Sequence, residues 1–218
     1  MNLNRRHFSG SVAATLVGGA LGGLSLTARA QTGAPVEGQQ FTRLQPPVPT
    51  QSGSKIEVIE FFSYACPHCF EFEPTLEAWQ KTLPADVMFR RIPVPFLFNA
   101  EGFQRLYYTL ETLGKLNEMQ LKVFNAVHVE HNRLDKPADM AALAAKSGID
   151  SAKFLDVYNS FSVATSVQKA KKTFADYKVD SVPTLAVQGR FTTSPAQAGG
   201  SQGALMTVSY LIAQARKG

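Results

Sequence analysis

Apolar positions along this chain change period several times, and those changes lay out the elements. Ile56 to Phe62 is a short run rich in β-branched and aromatic residues and reads as a buried strand, with Ser63 to Ala65 as the turn that ends it. From Cys66 the spacing becomes helical: Phe72, Leu76, Trp79 and Leu83 would form one buried face. Pro67 suits the first turn of such a helix, where no N–H is needed, whereas Pro74 falls inside it and is expected to kink it. Val87 to Val94 is the next strand candidate.

A helical block follows. Phe103, Leu106, Tyr107 and Leu110 predict one amphipathic helix, and Met119 to Val129 a second. Alanine-rich Pro137 to Lys146 predicts a third, and Ser151 to Asn159, with Phe154, Leu155 and Tyr158, a fourth; Gly114 and Gly148 act as stops. Strand signals return in Thr184 to Gln188 and Phe191 to Thr193, joined by Gly189-Arg190 as a hairpin. Ser201 to Lys217 reads as a closing helix with Leu205, Val208 and Ile212 on one face. The order is β-α-β, a helical block, then a hairpin and a helix, with no internal repeat. Residues 31–54, rich in Gly, Pro, Gln, Ser and Thr, read as an extended arm that Phe41 and Leu44 could pin to the body.

Composition changes this picture little. The chain has 218 residues, 44% hydrophobic and 18% charged, enough for a core that needs no disulfide staples. Charge changes it more. Residues 1–30 contain Arg5, Arg6 and Arg29 and no acid, so the formal +5 falls to +2 without them, from 19 basic and 17 acidic residues. The basicity belongs to the leader, and no clustered basic face argues for nucleic-acid binding. That leader has a positive start, an uncharged, glycine-diluted stretch from Phe8 to Leu26, and the small-x-small site Ala28-Arg29-Ala30, placing the mature start near Gln31. Asn4-Arg5-Arg6-His7-Phe8 resembles a twin-arginine signal. The alternatives are a Sec signal with adjacent arginines and an uncleaved anchor, which the glycines disfavour. Each puts the domain outside the cytoplasm, where disulfides are permitted.

The chain's two cysteines form Cys66-Pro67-His68-Cys69, at the junction from strand to helix. A helix N-terminus stabilises a thiolate, so the leading chemistry is thiol–disulfide exchange. Cys-x-x-Cys alone also occurs in zinc sites. His128 and His131 share a helical spacing, but no cysteine remains to complete a metal site with them, and a solvated helix end is the favoured reading. No metal and no cofactor are expected. Of Phe89, Phe96, Phe98, Phe103, Tyr107 and Tyr108, most are expected in the core and some at the rim of an apolar groove.

Glu60-Phe61-Phe62 leading to Cys66-Pro67-His68-Cys69, the helical insertion, and Ser181-Val182-Pro183-Thr184 before the last hairpin together resemble the DsbA family, in its proteobacterial branch. The resemblance spans roughly residues 41–217. It implies an α/β protein: a thioredoxin fold over residues 55–97 and 166–218, with an inserted all-helical domain over residues 98–165. It implies a periplasmic thiol:disulfide oxidase that donates the Cys66–Cys69 disulfide to unfolded or reduced exported proteins through a mixed disulfide at Cys66. A membrane DsbB-like quinone reductase would reoxidise it. Pro67 and His68 would tune the thiolate, Cys69 would resolve, and Pro183 would be cis, with Val182 turning its backbone outward for an extended peptide. Glu60 matches a buried acid that relays a proton to Cys69; its alternative is a partly exposed strand residue paired with Arg90 or Arg91. A twin-arginine leader departs from the family's usual Sec export. The other functions are an isomerase or reductase on the same fold, and a peptide-binding domain with a structural bridge. The stretch between the cleavage site and Cys66 is too short for an isomerase's dimerisation domain, and a monomer is expected.

Overall fold

In a computed structural model that describes residues 33–217, the strand and helix patterns become five strands and seven helices among those residues. In chain order these are β1 (Thr42–Arg43), β2 (Ile56–Phe62), α1 (Pro67–Gln80) and β3 (Val87–Pro93), then α2 (Ala100–Thr112), α3 (Leu116–His128), α4 (Pro137–Ala145), α5 (Ser151–Tyr158) and α6 (Phe161–Asp176), then β4 (Thr184–Val187), β5 (Phe191–Thr193) and α7 (Ser201–Ala215). The leader and its cleavage position lie outside the described residues. Among the described residues no helix is long and apolar enough to cross a membrane.

The strands form one mixed sheet in the order β1-β5-β4-β2-β3. β2 is an interior strand, buried along its whole length, parallel to β3 and antiparallel to β4. Burial on both faces explains why it reads as a nearly continuous apolar run. One face packs Val58, with Leu185 and Val187 of β4, against Phe72 and Leu76 of α1 and Val208, Leu211 and Ile212 of α7. The other packs Ile59 and Phe61 against the helices inserted between β3 and β4. The β4–β5 turn has positive φ at both Gln188 (52°) and Gly189 (62°), which suits the twist of a hairpin. A side chain on Gly189 would collide with the Val48 carbonyl, so glycine lets the arm lie against the turn.

Three features differ from the sequence reading. The arm is tied down more firmly: Phe41 is buried, and β1 pairs antiparallel with β5 as the sheet's edge. α6 is a further helix that the pattern up to Asn159 does not include. It is continuous over Phe161–Asp176, so a boundary between residues 165 and 166 falls inside it. α1 runs through Pro74, which removes the N–H that the Phe70 carbonyl would otherwise accept.

Candidate active site

The end of β2 and the start of α1 place Cys66. After Phe62 the chain turns: the Cys66 N–H donates to the Ser63 carbonyl at 3.0 Å, and Ser63 Oγ accepts from the Ala65 N–H at 3.1 Å. Cys66 has extended backbone angles (φ −91°, ψ 115°) and is the N-cap of α1, with Pro67 just inside. Helices usually present a Ser, Thr, Asp or Asn oxygen to the orphan N–H groups here. In this chain the Cys66 sulfur does so, accepting from the Cys69 N–H at 3.4 Å. Negative charge on that sulfur also meets the positive end of the helix dipole.

The two sulfurs sit in opposite environments. Cys66 is 6% exposed, yet its thiol is pulled down from the ordinary 9.0 to about 6. The Cys69 thiol, donating to it, is the largest cause; the backbone N–H groups of Cys69 and His68 and the His68 charge act the same way, while burial opposes them. Cys69 is fully buried, and that burial pushes its thiol far above the ordinary range, helped by the Cys66 sulfur and the Glu60 carboxylate. The pair therefore keeps negative charge on Cys66 and a proton on Cys69. In its thiol form Cys66 also donates to the Val182 carbonyl at 3.5 Å. The Val182–Pro183 peptide is cis, and Pro183 is buried beside this contact.

His68 points into solvent. Its Nδ1 lies 3.1 Å from the Glu71 carboxylate, which holds the imidazole above its ordinary range. Its ring charge is the smallest of the influences lowering Cys66.

Glu60 is wholly buried, and it is also paired, so each of its two sequence readings captures one part. Arg91 bonds Glu60 Oε2 through Nε and Glu73 Oε1 through Nη2, both at 2.8 Å. The pleat selects Arg91 over Arg90. Parallel register sets Glu60 opposite Arg91 on one face, while Arg90 lies on the other face and bonds Glu57 at 2.9 Å. Two carboxylates share one guanidinium. Burial pushes Glu60 up to about 8, against the pull of Arg91, and Glu60 Oε1 has no protein partner.

The inserted helices supply residues that the sequence reading leaves out. Gln120 of α3 accepts from the Tyr64 hydroxyl at 2.6 Å, and Phe124 packs edge-on against the Tyr64 ring at 5.1 Å. His128 is not a solvated helix end: it is half-buried, with Nε2 2.8 Å from the Tyr64 carbonyl and its ring stacked on Phe70. The four-residue spacing of 120, 124 and 128 was the available signal. Among the described residues no cluster of His, Cys, Asp or Glu could hold a metal ion. Of the aromatic set, Phe103, Tyr107 and Tyr108 are buried, Phe89 and Phe96 are half-buried, and Phe98 is exposed. An open groove of about 840 Å³ lies between α1 and α7, lined by Trp79, Leu205 and Met206 rather than by that set.

Comparison with known proteins places this geometry among relatives. A family model described as a DSBA-like thioredoxin domain matches residues 86–204, which hold the Val182–Pro183 loop and the inserted helices. The thiol:disulfide interchange protein DsbA of Bordetella parapertussis is 44% identical over 180 residues, covering 82% of this chain and 86% of that protein. The DsbA of Pseudomonas aeruginosa is 41% identical over 181 residues, covering 82% and 85%. A crystal structure of the Pseudomonas aeruginosa DsbA superposes with a TM-score of 0.81 at 40% identity, over 84% of this chain and 95% of that one.

Proposed function

Because the chain belongs to the DsbA family of thioredoxin-fold proteins with an inserted helical domain, and is a thiol:disulfide oxidoreductase, we propose how its residues carry the exchange and in which direction. The Cys66–Cys69 disulfide is the oxidant. A substrate thiolate attacks Cys66 Sγ; the S–S bond breaks, and Cys69 leaves as a thiolate that takes up a proton. A second substrate thiolate attacks the substrate sulfur of the mixed disulfide and expels the Cys66 thiolate. The substrate dithiol loses two electrons and the protein disulfide gains them.

The observation that carries this reading is the opposed pull on the two sulfurs: Cys66 lowered to about 6, Cys69 raised. A low-pKa sulfur is the better leaving group, and stabilising the reduced thiolate makes the disulfide the stronger oxidant, the logic for which the DsbA family is itself a standard example. Glu60 supplies the proton that Cys69 needs, since a carboxyl held at about 8 is partly protonated at neutral pH. Val182, beside Pro183, offers its backbone to an extended substrate strand. Pro67 and His68 tune Cys66. The substrates are reduced proteins exported to the periplasm, and a membrane quinone reductase of the DsbB kind restores the disulfide to a monomeric donor.

The test is oxidation of a reduced two-cysteine model peptide by the oxidised protein. Cys66→Ser abolishes it, and the Cys66 thiolate of Cys69→Ser, mixed with the oxidised peptide, attacks that disulfide and accumulates as a mixed disulfide at Cys66 while the peptide's other sulfur leaves as a thiolate. Oxidation persisting in Cys66→Ser, or a mixed disulfide that forms with Cys69 of Cys66→Ser and not with Cys66 of Cys69→Ser, contradicts the assignment.

A further inference from the structure

Two side chains of the inserted helices, Phe124 and His128, touch the cysteine loop on both sides. His128, the last residue of α3, sets Nε2 2.8 Å from the Tyr64 carbonyl. A carbonyl only accepts, so Nε2 carries the hydrogen and donates. The same imidazole lies nearly parallel to the Phe70 ring, with centroids 5.1 Å apart and planes 9° apart. Tyr64 belongs to the turn that delivers Cys66, and Phe70 directly follows Cys69. Gln120 and Phe124 hold the Tyr64 hydroxyl and ring from the same stripe of α3, but His128 alone of the three bonds the turn's backbone.

We propose that His128 is a positioning residue for disulfide exchange, fixing the turn before Cys66 against the first turn of α1. It works through the N-cap. The bond from the Cys69 N–H to the Cys66 sulfur is 3.4 Å long, so a small shift of the turn weakens it. Tyr64 is fully buried, so losing the donor leaves its carbonyl unpaired where water does not readily replace it. With a looser turn the Cys66 thiolate receives its donors less well, and the reduced form loses part of its advantage. The hydrogen bond of His128 goes to the Tyr64 carbonyl and not to either sulfur.

This rests on Cys66 being the exchanging sulfur. Loss of exchange in Cys66→Ser tests that reading, while His128 is read by two other measurements on the full mature chain: the glutathione equilibrium and titration of thiolate absorbance. His128→Phe keeps the stack on Phe70 and deletes the donor; His128→Gln gives up the stack and keeps a donor of similar reach. His128→Phe should lower the equilibrium constant for reduction by glutathione about fivefold, as for one net hydrogen bond, and raise the Cys66 pKa. His128→Gln should stay within about twofold of the wild type. An unchanged constant in His128→Phe, or equal losses in both variants, overturns the proposal. If His128→Phe does not fold, His128→Ala replaces it: the Ala variant must show the loss and the Gln variant must recover most of it, and equal values for the two overturn the proposal.

Discussion

Cys66 and Cys69 are the same residue type on the same turn of helix, and their surroundings alone make one acidic and the other reluctant to ionise. Each listener to Cys66 has a rank: the Cys69 thiol comes first and the His68 ring charge last. That order predicts the outcome of two substitutions. Cys69→Ala should raise the Cys66 pKa more than His68→Ala does, both read by thiolate absorbance; the reverse order would place the control in His68. His68 shows where one-dimensional reading stops. The motif marks it as a tuning residue, but the Glu71 carboxylate that holds its ring is a rotamer choice on an exposed surface. Glu60 could be expected in the strand beneath Cys66, whereas its sharing of Arg91 with Glu73 needed the strand register and the helix face together. His128 was illegible for a similar reason: its partner is a backbone carbonyl 64 residues earlier in the chain, and no side-chain pattern announces a carbonyl.

Elements were legible wherever burial imposed a period. β2, α1, β3 and the β4–β5 hairpin follow from apolar runs, proline placement and turn glycine, because each packs a face that composition reveals. β1 was not, since its residues, Thr42 and Arg43, are both exposed and become a strand only by pairing with β5. α6 is the more instructive omission. Val163, Val167 and Ala170 do carry the helical spacing, and Ser160 caps the helix by accepting from the Val163 N–H at 3.2 Å. Exposed Phe161 and the lysines at 169, 171 and 172 obscure that stripe. Ser160→Ala should therefore destabilise the protein by about 1 kcal/mol in urea unfolding, the usual worth of an N-cap. No change would mean that packing of α6 alone holds its first turn. α3 matters beyond its own packing, because its 120/124/128 stripe makes the inserted helices part of the active-site support.

For the molecule as a whole, the buried Glu60–Arg91–Glu73 group links fold stability to pH. Glu60 has a folded pKa of about 8, above the ordinary 4.5, so the folded state keeps a proton that the unfolded chain has released. Its contribution is fully present below pH 4.5 and is lost as pH rises through about 8. Glu60→Gln does not titrate and escapes that loss. In urea unfolding of the oxidised protein, where the cysteines are silent, the variant should gain on the wild type by about 2 kcal/mol or more between pH 5 and pH 8.5. A constant difference across that range would mean that Glu60 ionises normally in its pocket. The same linkage applied to the cysteines gives the most direct test of the whole account, the equilibrium between the protein and glutathione measured from pH 5 to pH 8. If Cys66 has a pKa of about 6, reduction by two glutathione thiols releases one proton above that pH and none below it. The equilibrium constant should then be flat below pH 6 and rise about tenfold per pH unit above it, until glutathione itself ionises near pH 8.5. A constant that stays flat up to pH 8 would mean an ordinary thiol at Cys66, and would contradict the assignment of this chain as a disulfide donor driven by its N-cap thiolate.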